Sequence, residues 1–98
     1  MTQMIWKYPL DGTQIDLQMP VGTRILHVSE QHGGPTFWAL VDTDASLEMR
    51  SFRLYATGEP MANPVQYVGT VLLSGGAYVF HLFEITAPSS TRAPRVST

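Results

Sequence analysis

The sequence predicts an all-β fold, a single small antiparallel sandwich or open barrel of about seven strands. Turn-forming residues recur at short, regular intervals, a spacing typical of such folds. Several segments between them alternate apolar and polar residues, as half-exposed strands do. No segment repeats its apolar residues with the period of an amphipathic helix. A chain of 98 residues is expected to form one domain.

Strands are expected at residues 4–10, 13–19, 24–31, 36–42, 47–58, 65–74 and 77–86. Asp11 and Gly12 fit a two-residue turn, because glycine accepts a positive φ, so the first two strands are predicted to form a hairpin. In the second strand, Ile15, Leu17 and Met19 share one side, which predicts a half-exposed strand.

The remaining strands differ in how many of their faces are apolar. The third ends at the Gly-rich segment 32–35, and the fourth is apolar on both faces, so it is expected to be central. The fifth is long and ends at Gly58. The last two form a hairpin through Gly75 and Gly76, and the seventh is again apolar on both faces. Its second face is therefore predicted to lie under a loop or in a subunit interface.

Residues 87–98 have the composition of a disordered segment, rich in Pro, Ser and Thr. The predicted organisation is an all-β domain over residues 1–86, followed by an extended C-terminal tail over residues 87–98.

The charge content predicts association between copies of the chain. Charged residues make up only 14% of the sequence, well below the roughly 25% of an average globular domain. A small domain has a large surface for its volume, so much of that surface must be uncharged or apolar. A homo-oligomer is therefore expected. The net charge of −2 argues against binding to duplex nucleic acid.

Motifs for catalysis, metals and cofactors are absent from the sequence. Without cysteine, disulfides, thiolate metal sites and thiol nucleophiles are excluded. The histidines, His27, His32 and His81, lack metal-binding spacing, and neither a phosphate loop nor a G-x-S-x-G motif occurs. No enzyme activity, metal or cofactor is predicted. Neither a signal peptide nor a membrane-spanning segment is evident, so a cytoplasmic location is expected.

Arginine and aromatic side chains are the candidate ligand-binding groups. Arg50 and Arg53 lie three residues apart on one strand and are expected to face opposite sides. Either could form a salt bridge, with Glu84 or Glu48 as possible partners of Arg53, or grip an outside anion. The full set of candidates is Arg24, Arg50, Arg53, Trp6, Trp38 and Tyr55, with the aromatic rings offered for stacking or for packing at an interface.

Five segments of the sequence, taken in order, resemble a family of small proteins encoded by phages and prophages. They are IWKY (5–8), IDLQMPVGTRILHV (15–28), FWALVD (37–42), RSFRLYATGEP (50–60) and YVGTVLLSGGAYVFHLFE (67–84). The family has no established function and brings no catalytic residues. The resemblance implies expression in the cytoplasm of an infected bacterium.

Small accessory phage proteins often counter host defence, and the resemblance implies such a role here. The first hypothesis is an oligomeric, non-enzymatic sponge that sequesters a small anionic, nucleotide-type signal where subunits meet. The alternative is an inhibitor that binds a host defence protein through an exposed β surface, as many anti-CRISPR proteins do. An enzyme acting on a small metabolite is a third hypothesis.

Overall fold

The computed structural model describes residues 1–61 and 65–86, so the predicted tail over residues 87–98 lies outside the described part of the chain. The predicted all-β fold is confirmed: seven antiparallel strands form two sheets that pack as an open sandwich. The strands are β1 (Gln3–Pro9), β2 (Gln14–Pro20), β3 (Arg24–Gln31), β4 (Gly34–Asp42), β5 (Leu47–Ala56), β6 (Val65–Leu73) and β7 (Tyr78–Ile85). A 3₁₀ turn at Ser74–Gly76 joins the last two.

One sheet has three strands in the order β1-β4-β3, and the other has four in the order β2-β5-β7-β6. The expectation that β4 is central is therefore confirmed, and β7 is also an inner strand. Alternation along each strand sends every second side chain into the space between the sheets. The Phe37 and Phe52 rings meet there, one from each sheet, with their centroids 5.3 Å apart. The buried core also contains Leu10, Ile15, Met19, Ala39, Val41, Leu54, Val71 and Leu82.

The predicted hairpin between the first two strands is wrong. β1 pairs with β4 and β2 pairs with β5, so the turn at Asp11 and Gly12 carries the chain from one sheet to the other. A backbone hydrogen bond at each end of this crossover attaches it to one of the two sheets. The amide of Leu10 donates to the carbonyl of Pro35 at 2.9 Å, and the amide of Leu54 donates to the carbonyl of Thr13 at 2.9 Å. Leu10 is itself buried, which anchors the crossover in the core.

The β3–β4 connection is a tight hairpin turn. His32 and Gly33 have φ values of 54° and 82°, the pair of positive angles that a type I′ turn requires. His32 is therefore a turn residue on the surface side of the hairpin rather than part of a cluster.

The two sheets approach each other where β3 lies beside β6. A Cβ atom placed on Gly69 would be only 3.0 Å from Cγ2 of Val28. The close approach of β3 and β6 therefore requires glycine, which has no side chain, at position 69. The ladder between β6 and β7 shifts register between Tyr67 and Gly69, which marks a β-bulge next to this contact between β3 and β6.

Candidate functional site

A cleft of about 270 Å³ opens where the start of β3 faces the start of β6. Thr23, Arg24 and Ile25 come from the β3 side, and Arg50 and Glu84 come from β5 and β7. Gln66, Tyr67 and Val68 complete the lining from β6 at its bulge. The cleft thus gathers side chains from both sheets, and it contains two of the three candidate arginines.

Arg50 is held in a fixed orientation by three hydrogen bonds. Its Nε donates to Oε2 of Glu84 at 2.7 Å, and its Nη2 donates to Oε1 of the same carboxylate at 2.8 Å. Its Nη1 donates to the backbone carbonyl of Thr23 at 2.6 Å. The hydrogen bonds to Glu84 raise the pKa of the Arg50 guanidinium, although burial acts in the opposite direction. The guanidinium is charged, as arginine is in proteins generally, and it links β5 to β7 and to the start of β3.

Arg24, in contrast, is exposed and makes no hydrogen bond or salt bridge with any residue that the structure describes. It is the first residue of β3, directly after buried Thr23. The hydroxyl of Thr23 donates to the carbonyl of Pro20 at 2.6 Å, which fixes the turn that leads into the strand. The backbone under Arg24 is therefore well defined, while its charge is available to a ligand.

The charges in the cleft favour an anion. Arg24, Arg50 and Glu84 are among its lining residues, which together carry a formal charge of +1. A guanidinium has five N–H donors, and Arg50 uses three of them in the bonds described above. Planar arrays of arginine donors bind phosphate and carboxylate groups with good geometry.

Arg53 lies outside the cleft, on the outward side of the four-stranded sheet, as the alternation along β5 predicts. Its salt bridge is with Glu59, Nη2 to Oε2 at 2.9 Å, so Glu84 and Glu48 were the wrong partners to expect. Glu84 is the partner of Arg50 instead. The Arg53 guanidinium lies over the Tyr55 ring at 4.8 Å, and its buried Nε has no partner among the described residues.

The two candidate tryptophans occupy other regions. Trp6 pairs with Ala39 across the ladder and packs against the core, so it contributes to the sandwich interior. Trp38 faces outward from the three-stranded sheet, where its ring lies 6.1 Å from that of His27. Within one protomer, the six candidates therefore occupy separate places: Arg24 and Arg50 in the cleft, Arg53 with Tyr55 on one outward face, Trp38 on the other, and Trp6 inside.

Sequence reasoning missed Tyr67 and Gln66 as cleft residues, and it placed Glu84 with the wrong arginine. The strand pattern gives the side on which each residue lies, but the position of the β6 bulge and the pairing of β5 with β7 depend on tertiary packing. The only sequence signal was Gly69, because an isolated glycine in a strand indicates a bulge or a close backbone approach.

His81 is held by hydroxyl groups. Its Nε2 lies 2.8 Å from the hydroxyl of Thr57, and its Nδ1 lies 3.0 Å from that of Thr70. In the described part of the chain, no three His, Asp or Glu side chains come together as a metal site would need. Across residues 1–61 and 65–86, no helix is long and apolar enough to cross a membrane.

The comparison with known families places the chain. The sequence pattern of a domain of unknown function, DUF7352, matches residues 1–93. The chain belongs to this family. The DUF7352 match covers both sheets and the cleft, so the geometry described above lies within the family domain. No curated protein and no solved structure is significantly similar to this DUF7352 chain.

Proposed function

We propose that this DUF7352 protein is a non-enzymatic binding protein that captures a small anionic, nucleotide-type ligand in the cleft between β3 and β6. The observation that carries the proposal is the meeting of Arg24 and Arg50 in one cleft, with Arg24 making no bond to the described residues. An exposed arginine beside a second, fixed arginine supplies donors for a phosphate group.

The two arginines have different parts in this proposal. Arg50 is oriented by Glu84 before any ligand arrives, so little conformational entropy is lost when its remaining donors bind. Arg24 is exposed, and on binding its guanidinium turns toward the anion. Because Glu84 offsets one of the two positive charges, the cleft favours a ligand with one or two negative charges over a polyanion.

The cleft volume limits the ligand. Pockets for small molecules are commonly about 300–1,000 Å³, so about 270 Å³ is at the small end. A phosphate with one attached ring fits this size. A larger signal, such as a cyclic dinucleotide, would need cleft residues from a second copy of the chain.

The resemblance to phage and prophage proteins supplies the biological part of the proposal. In the cytoplasm of an infected bacterium, a protein of this kind would lower the free concentration of a nucleotide signal used by host defence. Association of copies, which the low charge content favours, would raise the number of clefts per particle.

Isothermal titration calorimetry on the full chain tests the proposal. The probes are cyclic mononucleotides, cyclic dinucleotides and inorganic phosphate. At least one nucleotide is expected to bind with a salt-dependent affinity, because charge attraction contributes. Failure of every probe at low ionic strength would contradict the proposal.

A pair of variants locates the site. Arg24→Ala is expected to weaken binding at least about tenfold, the loss of one charge-assisted hydrogen bond. Arg53→Ala is the matched control, since it also removes one arginine charge from the chain but lies outside the cleft. Equal loss in both variants would mean that the cleft is not the binding site.

Capture and catalysis differ in what is recovered. After incubation with a bound nucleotide, heating the protein is expected to release the ligand chemically unchanged, as chromatography can show. Conversion of the nucleotide would favour the enzyme hypothesis instead.

The edge strand β1 supports a second candidate function, inhibition of a host defence protein. Among the strands that the structure describes, β1 pairs with β4 alone, and its Met4 and Ile5 side chains are 50% and 61% exposed. An open, apolar strand edge can accept a strand from a partner. A stoichiometric host protein in a pull-down from infected cells, lost in an Ile5→Glu variant, would favour this function.

A further inference from the structure

The outward side of the four-stranded sheet carries exposed apolar side chains on β5 and β6, and polar ones, Gln14, Asp16 and Gln18, on the edge strand β2. We call this side the aromatic face; Tyr67 and Phe83 lie at its centre, beside Tyr55, which is itself buried. The Phe83 ring meets Tyr55 at 5.8 Å and Tyr67 at 5.4 Å, both edge to face. Met49 and Leu72, at opposite corners of the face, are each 56% exposed, and Tyr67 is 57% exposed.

Several polar groups on the aromatic face are bonded to one another, among them Asp16, which accepts a hydrogen bond from the Ser51 hydroxyl at 2.7 Å. Arg53 pairs with Glu59, and Thr70 bridges the Tyr67 hydroxyl at 2.7 Å and the His81 ring at 3.0 Å. Covering these groups with another surface would leave few of them without a hydrogen-bond partner, so the desolvation cost is low. The face can therefore be buried against an apolar surface.

We infer that the occupant of the aromatic face is a second copy of this chain, which packs its own aromatic face against it around a two-fold axis. In such a dimer each residue meets residues of the same face, so the face must not repel itself. Arg53 and Glu59 neutralise each other, and the remaining carboxylate, Asp16, lies on the edge strand β2, at the border of the face. Two sheets that pack face to face are a common interface, with strands within about 30° of parallel.

The area is at the lower end of what a dimer needs. Four strands spaced about 4.8 Å apart, with about eight residues each, span about 500 Å² in projection. Side-chain relief makes the accessible area larger than this projection. A typical stable interface buries about 800 Å² on each partner.

The outward face of the three-stranded sheet differs in its charged groups. Lys7 projects from it opposite Trp38, and Arg24, at the rim of the cleft, lies opposite Leu40 in the ladder. Neither of them has an acidic partner among the described residues. A second copy on this face would remove water from two cationic side chains that have no acidic partner among the described residues, so it is the less favourable surface for self-association.

Sedimentation equilibrium on the full chain at micromolar concentration tests the inference. The wild type is expected to be a dimer. Leu72→Glu places one carboxylate per copy in the interface and is expected to raise the dimer dissociation constant at least about 100-fold. Ile5→Glu is the matched control, because Ile5 is 61% exposed on a strand of the other sheet, and it should leave the dimer intact.

Three outcomes would overturn the inference: a monomeric wild type, a dimer that Leu72→Glu leaves intact, or a dimer that Ile5→Glu alone dissociates. Met49→Glu repeats the test at the opposite corner of the face. Circular dichroism must show wild-type β content in each variant, so that dissociation is not mistaken for unfolding.

The dimer rests on the proposed function in one respect, since it supplies the association of copies included there, but separate experiments can contradict the dimer and the nucleotide binding. Leu72 does not line the cleft, so a monomeric Leu72→Glu variant should still bind a mononucleotide that the wild type binds. A monomeric wild type would contradict the dimer but would not affect the nucleotide-binding proposal that Arg24→Ala tests. Absence of nucleotide binding would contradict the proposed function but would not affect the dimer.

Discussion

Arg50 and Arg53 lie three residues apart on β5, yet they work in different surroundings. Arg50 turns toward the space between the sheets, where it bonds Glu84 twice and the Thr23 carbonyl once, and about a fifth of each side chain of the pair is exposed. Arg53 turns outward, where one salt bridge to Glu59 and the Tyr55 ring hold it. The same residue type thus has two environments on one strand, and we expect the arginine with more donors bonded within the fold to contribute more stability.

The largest expected effect is the loss of the Arg50 pair. Arg50→Ala should lower the free energy of unfolding by about 3 kcal/mol, because it leaves the Glu84 carboxylate and the Thr23 carbonyl without their hydrogen-bond donor in a largely buried site. Urea denaturation followed by circular dichroism measures the change. Arg50→Lys, which keeps the charge but not the planar fork, should recover only part of it. A loss of stability no greater than that of Arg53→Ala would contradict the expected difference between the two arginines.

Arg53→Ala is expected to cost about 1 kcal/mol, the sum of a partly exposed salt bridge and a cation–π contact. A double-mutant cycle with Glu59→Ala separates the two, since only the salt bridge involves both residues. The experiment is the same denaturation series. A coupling energy as large as that between Arg50 and Glu84 would show that outward placement does not weaken the pair.

Tyr8 lies near enough to Arg50 to sense its charge. Its hydroxyl is buried and has no hydrogen-bond partner among the described residues. Tyr8→Phe removes this unsatisfied group and should raise the free energy of unfolding by up to about 1 kcal/mol. Tyr67→Phe is the control, because the Tyr67 hydroxyl is bonded to Thr70 and its loss should destabilise or leave stability unchanged. Marked destabilisation by Tyr8→Phe would mean that the hydroxyl has a bonding partner.

The smallest effect concerns pH. Burial raises the pKa of the Tyr8 phenol above its ordinary value of 10.0, while the Arg50 charge acts in the opposite direction. A group whose pKa is raised by folding contributes stability below the unfolded pKa and loses it as the pH rises further. The unfolding free energy should therefore fall above pH 10, and less so in Tyr8→Phe. Identical profiles for the two proteins would contradict this.

Much of the fold could be predicted from the sequence because it rests on local signals. Alternation placed Arg50 and Arg53 on opposite sides of one strand, and the Gly-rich turns bounded the strands to within a few residues. The β1–β2 hairpin failed because Asp11 and Gly12 satisfy a turn equally well within a sheet or between sheets. The choice depends on which long-range ladder buries Leu10.

The candidate site was less accessible to sequence reasoning. Arginine and aromatic residues could be named as binding groups, but their convergence depends on sheet order. Trp6 and Trp38 lie on opposite sides of one sheet, a separation that follows only once β1 is known to pair with β4. The salt-bridge partners likewise required the register, since Glu84 lies far from Arg50 along the chain and Glu59 lies close to Arg53.

The crossover after β1 has a consequence for how the chain acquires its structure. The two local hairpins, β3–β4 and β6–β7, close short loops, whereas β1 must wait for β4 and β2 must wait for β5. Closing the longer loops costs more entropy, so we expect the N-terminal strands to dock late and to set the folding rate. During synthesis on the ribosome, the first two strands emerge before either of their ladder partners exists.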